Sequence, residues 1–164
     1  MEKRFDLDQM KLISGGQTGI DRAVLDFCLD HGLPCGGWCP AGRKAEDGII
    51  DPKYPLKELP ETSCRVRTAA NVRDSDATVI LFPGEMHGGT LKSFEFIQKD
   101  KKPFLLLDMS VLDAEAAAER LRKLLKRYTP STLNFSGPRQ SDWKEGYEYC
   151  YAILQLVFGM PKHN

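Results

Sequence analysis

A chain of 164 residues is the size of one domain and long enough to bury a core without a metal or a disulfide to hold it. Its 23 lysines and arginines are balanced by 23 aspartates and glutamates, so no global field draws it to nucleic acid or to an anionic membrane, and any anion site must be local. No secretory leader is expected, and the sequence holds no apolar stretch long enough to cross a membrane. With five cysteines, an odd number (Cys28, Cys35, Cys39, Cys64, Cys150), reduced thiols in the cytoplasm are expected.

Residues 1–9 are charged and are expected to form an irregular lead-in, 10–160 a single domain, and 161–164 a tail. Met10 to Ser14 is a brief, mostly apolar run closed by Gly15-Gly16, and a helical pattern follows with Ile20, Val24, Phe27 and Cys28 on one face. Gly32 accepts the left-handed conformation after a helix and Pro34 cannot continue one, so the helix ends there. A short strand is expected near Cys35 to Trp38. From Cys39 to Thr62 the chain is rich in proline, glycine and charge without a period. This is long for a structureless connection, and reads either as a functional loop or as an ordinary surface excursion.

A short helix over Arg67 to Arg73 precedes Ala77 to Phe82, an unbroken apolar and β-branched run such as a strand buried on both faces requires. A helix from about Thr90 to Lys99 leads to a second run of that kind, Phe104 to Leu107. An amphipathic helix then carries Ala114, Ala117, Leu121, Leu124, Leu125 and Tyr128. Asp113 is placed to cap its start, and Lys123, Lys126 and Arg127 suit its negative end. A last strand near Thr132 to Phe135 runs through Ser136-Gly137-Pro138 into a helix with Tyr147, Cys150, Tyr151, Leu154 and Phe158.

Strands alternating with helices imply an α/β, Rossmann-like three-layer fold with a mainly parallel central sheet, in which ligands sit outside the carboxyl ends of the strands. Three glycine-bearing loops follow strands and should share that edge: Ser14 to Gly19, Pro83 to Thr90, and Ser136 to Arg139. Such loops let the backbone approach a phosphate, and the N–H groups at a helix start carry partial positive charge. Thr18, Thr90 and Ser136 add hydroxyl donors. The same glycines also serve as plain strand-to-helix turns, since neither G-x-G-x-x-G nor the P-loop lysine is present.

Arg22, Arg43, Arg67, Arg73 and Arg139 lie in or beside these loops, where a guanidinium either clamps a phosphate with two bonds or rests solvated on the surface. Asp21 answers the helix dipole or holds a ribose or pterin donor. Cys35 and Cys39 form one pair with no second pair, which does not suit zinc. His87 sits in a glycine-rich loop within reach of a ligand.

Gly15-Gly16-Gln17-Thr18-Gly19-Ile20-Asp21-Arg22, then Gly36-Gly37-Trp38-Cys39-Pro40 with Gly42-Arg43 and Ala45-Glu46-Asp47-Gly48, then Arg67-Thr68 with Asn71-Val72-Arg73-Asp74-Ser75-Asp76-Ala77-Thr78, Gly88-Gly89-Thr90, and Asn134 with Gly137-Pro138-Arg139 together resemble the family named putative molybdenum carrier. The resemblance runs from about Leu12 to Tyr147. It implies a Rossmann-like fold of the broader group that contains the DNA-processing protein and the LONELY GUY cytokinin-activating enzymes. It also implies binding of molybdenum cofactor (molybdopterin) as cargo, or of a related phosphorylated pterin or nucleotide, by a homo-oligomer. The ligand-binding residues expected on these blocks are Gly15, Gly16, Gln17, Thr18, Gly19, Asp21 and Arg22 in the first, Arg43, Arg67 and Asn71 in the middle, and Gly88, Gly89, Thr90, Gly137 and Arg139 in the last two.

The cytokinin-activating phosphoribohydrolases pair an arginine with a Pro-Gly-Gly-x-Gly-Thr-x-x-Glu loop. Arg67, nine residues before Asp76, is similar to that arginine in spacing, but three residues on from Thr90 stands Ser93, and Glu95 is turned about 200° around the helix axis. The cradle is kept and the acid is out of place. A carrier of an anionic phosphorylated small molecule is therefore expected, without a catalytic set. A nucleoside monophosphate phosphoribohydrolase and a nucleotide-sensing regulator are the alternatives.

Overall fold

The computed structural model describes residues 10–159; the expected irregular lead-in, 1–9, and the tail, 161–164, lie outside them. Strand β1 (Lys11–Ile13) gives way at the glycine loop to helix α1 (Ile20–His31), whose buried face carries Ile20, Val24, Phe27 and Cys28, and which ends on Gly32 at φ 64°. Five two-residue strands follow: β2 (Cys35–Gly36), β3 (Trp38–Cys39), β4 (Lys44–Ala45), β5 (Gly48–Ile49) and β6 (Lys57–Glu58). The strand expected over Cys35 to Trp38 is thus two, broken at Gly37. The rest alternates as expected: α2 (Cys64–Arg73), β7 (Ala77–Phe82), α3 (Gly88–Asp100), β8 (Phe104–Asp108), α4 (Ala114–Tyr128), β9 (Thr132–Ser136) and α5 (Gly146–Phe158). Asp113 caps α4 by accepting from Ala116 N at 2.8 Å.

Five strands form the central sheet in the order β2-β1-β9-β7-β8, every neighbouring pair parallel. Counted from β9 onward, through β1, β2, β7 and β8, that order becomes 3-2-1-4-5, the doubly wound arrangement with its last strand moved to the front. The switch point, where successive connections leave in opposite directions, lies between β9 and β7. Ligands in such sheets bind at that crevice.

Alternation along the strands builds three layers. Ala77, Val79 and Leu81 of β7, Leu133 and Phe135 of β9 and Leu12 of β1 face the core made with α1, α4 and α5. Ile80 and Phe82 face the other way, onto Val72 of α2 and Ile97 of α3. All six residues of β7 are buried, whereas β8 is an edge strand with Phe104 43% exposed. Phe104 to Leu107 is therefore covered less fully than a doubly buried run. Its apolar character serves the T-shaped contact of Phe104 with Phe94 and the packing of Leu106 beside Ile80.

The segment from Cys39 to Thr62 is an ordered excursion with a small core of its own, in which Cys39, Ile50 and Tyr54 pack on Leu25 of α1. β3 pairs with β6, and β4 with β5. The Arg43 guanidinium binds it together by donating to the carbonyls of Ile50, Leu56, Asp51 and Tyr54.

Candidate functional site

At the switch point the carboxyl ends of β1, β7 and β9 open into one cavity of about 770 Å³, within the range usual for small-molecule sites. The three glycine loops all reach it, through Gly15 and Gln17, through Pro83 to Thr90, and through Gly137 to Arg139. Helix α2 closes one side with Arg67, Thr68 and Asn71, and α3 another with Thr90 and Ser93. The first turn of α3 receives no side-chain cap from His87, so the N–H groups of Gly88 and Gly89 are available to an anion, those of Thr90 and Leu91 being held by the His87 carbonyl.

Arg67 is the centre of the charge arrangement. It is 9% exposed, lines the cavity, and its guanidinium has no hydrogen bond or ion pair among the described residues. It faces Asp21, also buried in the cavity wall, across the bare backbone of Gly15. A Cβ on Gly15 would stand 2.7 Å from Arg67 Nε and 3.0 Å from Asp21 Oδ2. Gly15 is therefore required by close approach of these two side chains. The Gln17 N–H donates to Asp21 Oδ2 at 3.3 Å.

Burial raises the Asp21 carboxyl from its ordinary 3.8 to about 6, against the opposing pull of Arg67, the Gln17 N–H and Arg22. A carboxyl that holds its proton more tightly in the folded state contributes stability that is complete below about pH 4 and is lost as pH rises through about 6. Relative to Asp21→Asn, the wild type should therefore lose on the order of 3 kcal/mol across that window. Urea unfolding of both proteins at pH 4, 5 and 7 measures it, and a difference that stays flat with pH would show that the carboxyl titrates as if in water.

Several residues expected at the site stand elsewhere. Gly16 has φ 79°, and a side chain there would strike Leu56 and Ile50 of the excursion rather than the cavity. Gly19, at φ 82°, lets the first loop pass against the carbonyl of Pro138. The Thr18 hydroxyl donates to Glu46 (2.5 Å) and accepts from Gln140 N (3.0 Å). Glu46 also accepts from the Ser141 hydroxyl at 2.6 Å, so it ties the loops after β1 and β9 together. The bonds from Ser141 and Thr18 hold its carboxyl below the usual range. Arg22 spends its guanidinium on the Gly16 carbonyl and on Asp47, and Arg43 on the four carbonyls of the excursion. These five residues shape the wall from behind: Thr18, Arg22 and Arg43 because hydrogen-bond partners within the protein engage them, Gly16 and Gly19 because neighbouring loops pack against them.

Asn71 lines the cavity, but its amide clamps the Trp38 backbone at both ends, 2.8 Å from N and 3.0 Å from O. Arg139 is half exposed and bound to Asp142 (3.0 Å). Gly88, Gly89, Thr90 and Gly137 line the cavity, and a Cβ on Gly89 would meet open space. Gly16→Val should accordingly lower stability by about 2–4 kcal/mol, from left-handed strain and crowding. Gly89→Val should leave the unfolding free energy within about 1 kcal/mol and weaken ligand binding. Paired denaturation and calorimetry separate the two, and the opposite pattern would move the cradle to the first loop.

The cavity residues outside the expected ligand-binding set include Thr68, Ser93 and Asn134, and Ser136, expected as a hydroxyl donor, lines it too. Ser93 donates to the Gly89 carbonyl (3.1 Å) and shares a 2.6 Å bond with Ser136. Asn134 Nδ2 donates to Thr78 Oγ1 (3.3 Å), while its Oδ1 is buried without a partner, at a cost of about 1–3 kcal/mol. The available signal was the alternation of β9, Thr-Leu-Asn-Phe-Ser, which puts Asn134 and Ser136 together on one polar face. Glu95 points away from the cavity and pairs with Lys92 at 3.0 Å; Glu85 lines the rim with its side chain 83% exposed. Among the described residues no cluster of three histidine, cysteine or acidic side chains suits a metal, and no helix is long and apolar enough to cross a membrane.

The circularly permutated YpsA SLOG family matches residues 12–158, in keeping with the strand order, whose 3-2-1-4-5 progression starts at β9. The crystal structure of a protein from Syntrophus aciditrophicus SB described as a putative molybdenum carrier protein is similar, with 38% identity, a TM-score of 0.90, and coverage of 92% of this chain and 96% of that one. No curated protein matches the chain.

Proposed function

The chain belongs to the circularly permutated YpsA SLOG family, and on that premise we propose that it is a carrier for an anionic, phosphorylated small molecule, with molybdenum cofactor (molybdopterin) as the cargo. The observation that carries this reading is the buried, unpaired guanidinium of Arg67 in a cavity at the switch point. A buried guanidinium whose N–H groups meet no acceptor is costly unless a ligand supplies one, and Asp21 acts on it only through space, across Gly15. The uncapped start of α3 adds N–H donors to the same space. The cargo suggested by the description of the Syntrophus aciditrophicus protein fits this chemistry. Molybdopterin carries a phosphate for the Arg67 end, and molybdenum would be held through its organic ligand rather than by protein side chains.

The position of Ser93 supports carriage over hydrolysis of a nucleoside monophosphate, since its hydroxyl is engaged with Gly89 and Ser136 and no proton donor replaces the missing glutamate there. Mass spectrometry of small molecules released on denaturing the natively purified protein should find a phosphorylated pterin. Efficient release of free base from nucleoside monophosphates, abolished in Glu85→Gln, would overturn the carrier reading.

A further inference from the structure

We propose that the floor of the cavity is a second, uncharged subsite, in which Asn134 Oδ1 accepts a hydrogen bond from a hydroxyl or ring N–H of the ligand. The ligand is then a phosphate monoester whose organic part carries such a donor. This rests on the reading of Arg67 as the anion end and names what lies at the other.

The alternation of β9 sends Leu133 and Phe135 into the main core and Asn134 and Ser136 to the opposite face, opposite Thr78 and Ile80 of β7. On that face β7 is apolar beyond Thr78, with Ile80 and Phe82 in the second core, while β9 stays polar to its end. Ser136 and Ser93 satisfy one another, and Thr78 takes the Asn134 Nδ2. Among the described residues the one orphan is the Asn134 carbonyl oxygen, in a residue 3% exposed that lines the cavity. Buried acceptors without a donor are uncommon in folded proteins. A carbonyl oxygen has only lone pairs to offer, so it repels an ionised phosphate and selects an O–H or N–H. The two ends of the ligand therefore cannot be exchanged.

Calorimetric titration with methyl phosphate, ribose 5-phosphate and 6-hydroxymethylpterin phosphate tests this and separates sugar hydroxyl from ring N–H as the donor. Wild type should bind at least one of the last two roughly ten-fold or more tighter than methyl phosphate. In Thr78→Val/Asn134→Leu, which removes both partners of the buried bond, that gap should close while methyl phosphate binds as before. Asn134→Ala serves as a second variant and should behave alike. Equal binding of all three by wild type, or a gap that survives in the variants, overturns the subsite and leaves the Arg67 reading in place. Binding of none of the three removes the proposed function and this subsite with it.

Discussion

Arg67→Ala should weaken binding of a phosphorylated ligand roughly ten-fold to more than hundred-fold, the effect of losing a charge-assisted hydrogen bond, while the urea midpoint hardly moves. Arg67 makes no side-chain hydrogen bond among the described residues, and alanine is at least as good a helix former within α2. Lysine should restore only part of the affinity, because an ammonium keeps the charge and loses the two-pronged geometry. Arg139→Ala should cost less, since that guanidinium is 51% exposed and already bound to Asp142. Titration of wild type and the three variants with molybdenum cofactor, a pterin phosphate and a small set of nucleotides makes the comparison. If the wild type binds one of these and Arg67→Ala binds it equally well, the anion end of the cavity is not at α2.

Gly37→Ala should lower stability by about 3–5 kcal/mol, a fall in melting temperature of roughly 6–20 °C for a domain of this size. Gly37 has φ 130°, a conformation side chains rarely adopt, and a Cβ there would fall on the Ser14 carbonyl. The obstacle is backbone that cannot rotate aside. The kink at Gly37 takes the chain out of the central sheet after β2 and into the excursion that buttresses the first glycine loop. Calorimetric melting of the variant measures the loss, and an unchanged melting temperature would mean that the loop after β1 can move away from Gly37 at no cost.

Gly37 also shows where the sequence stopped being legible. Cys35 to Trp38 reads locally as one strand, and only the approach of Ser14, more than twenty residues earlier, forces the break. Arg22 and Arg43 read as phosphate clamps because they sit among glycines. Their partners, Asp47 and the carbonyls of the excursion, are brought to them by packing against Leu25 that no local pattern announces. Gly16 and Gly19 were legible as residues with a conformational role, but not which side their missing side chains face.

Ala77 to Phe82, the start of α4 at Asp113 and its end near Tyr128, the left-handed stop at Gly32, and the three glycine loops at strand ends were all determined by the sequence. Periodicity, capping and backbone freedom act over a few residues and leave their marks within that span. The tertiary structure alone decided that β9 lies between β1 and β7, and so that Arg67, the start of α3 and Asn134 enclose one space. Among the described residues, it alone left the Arg67 guanidinium without a hydrogen-bonded acceptor and Asn134 Oδ1 without a donor. Pairing of strands far apart in the chain depends on which faces can be buried together, and a polar group becomes unsatisfied only when the packing of distant elements removes water from it.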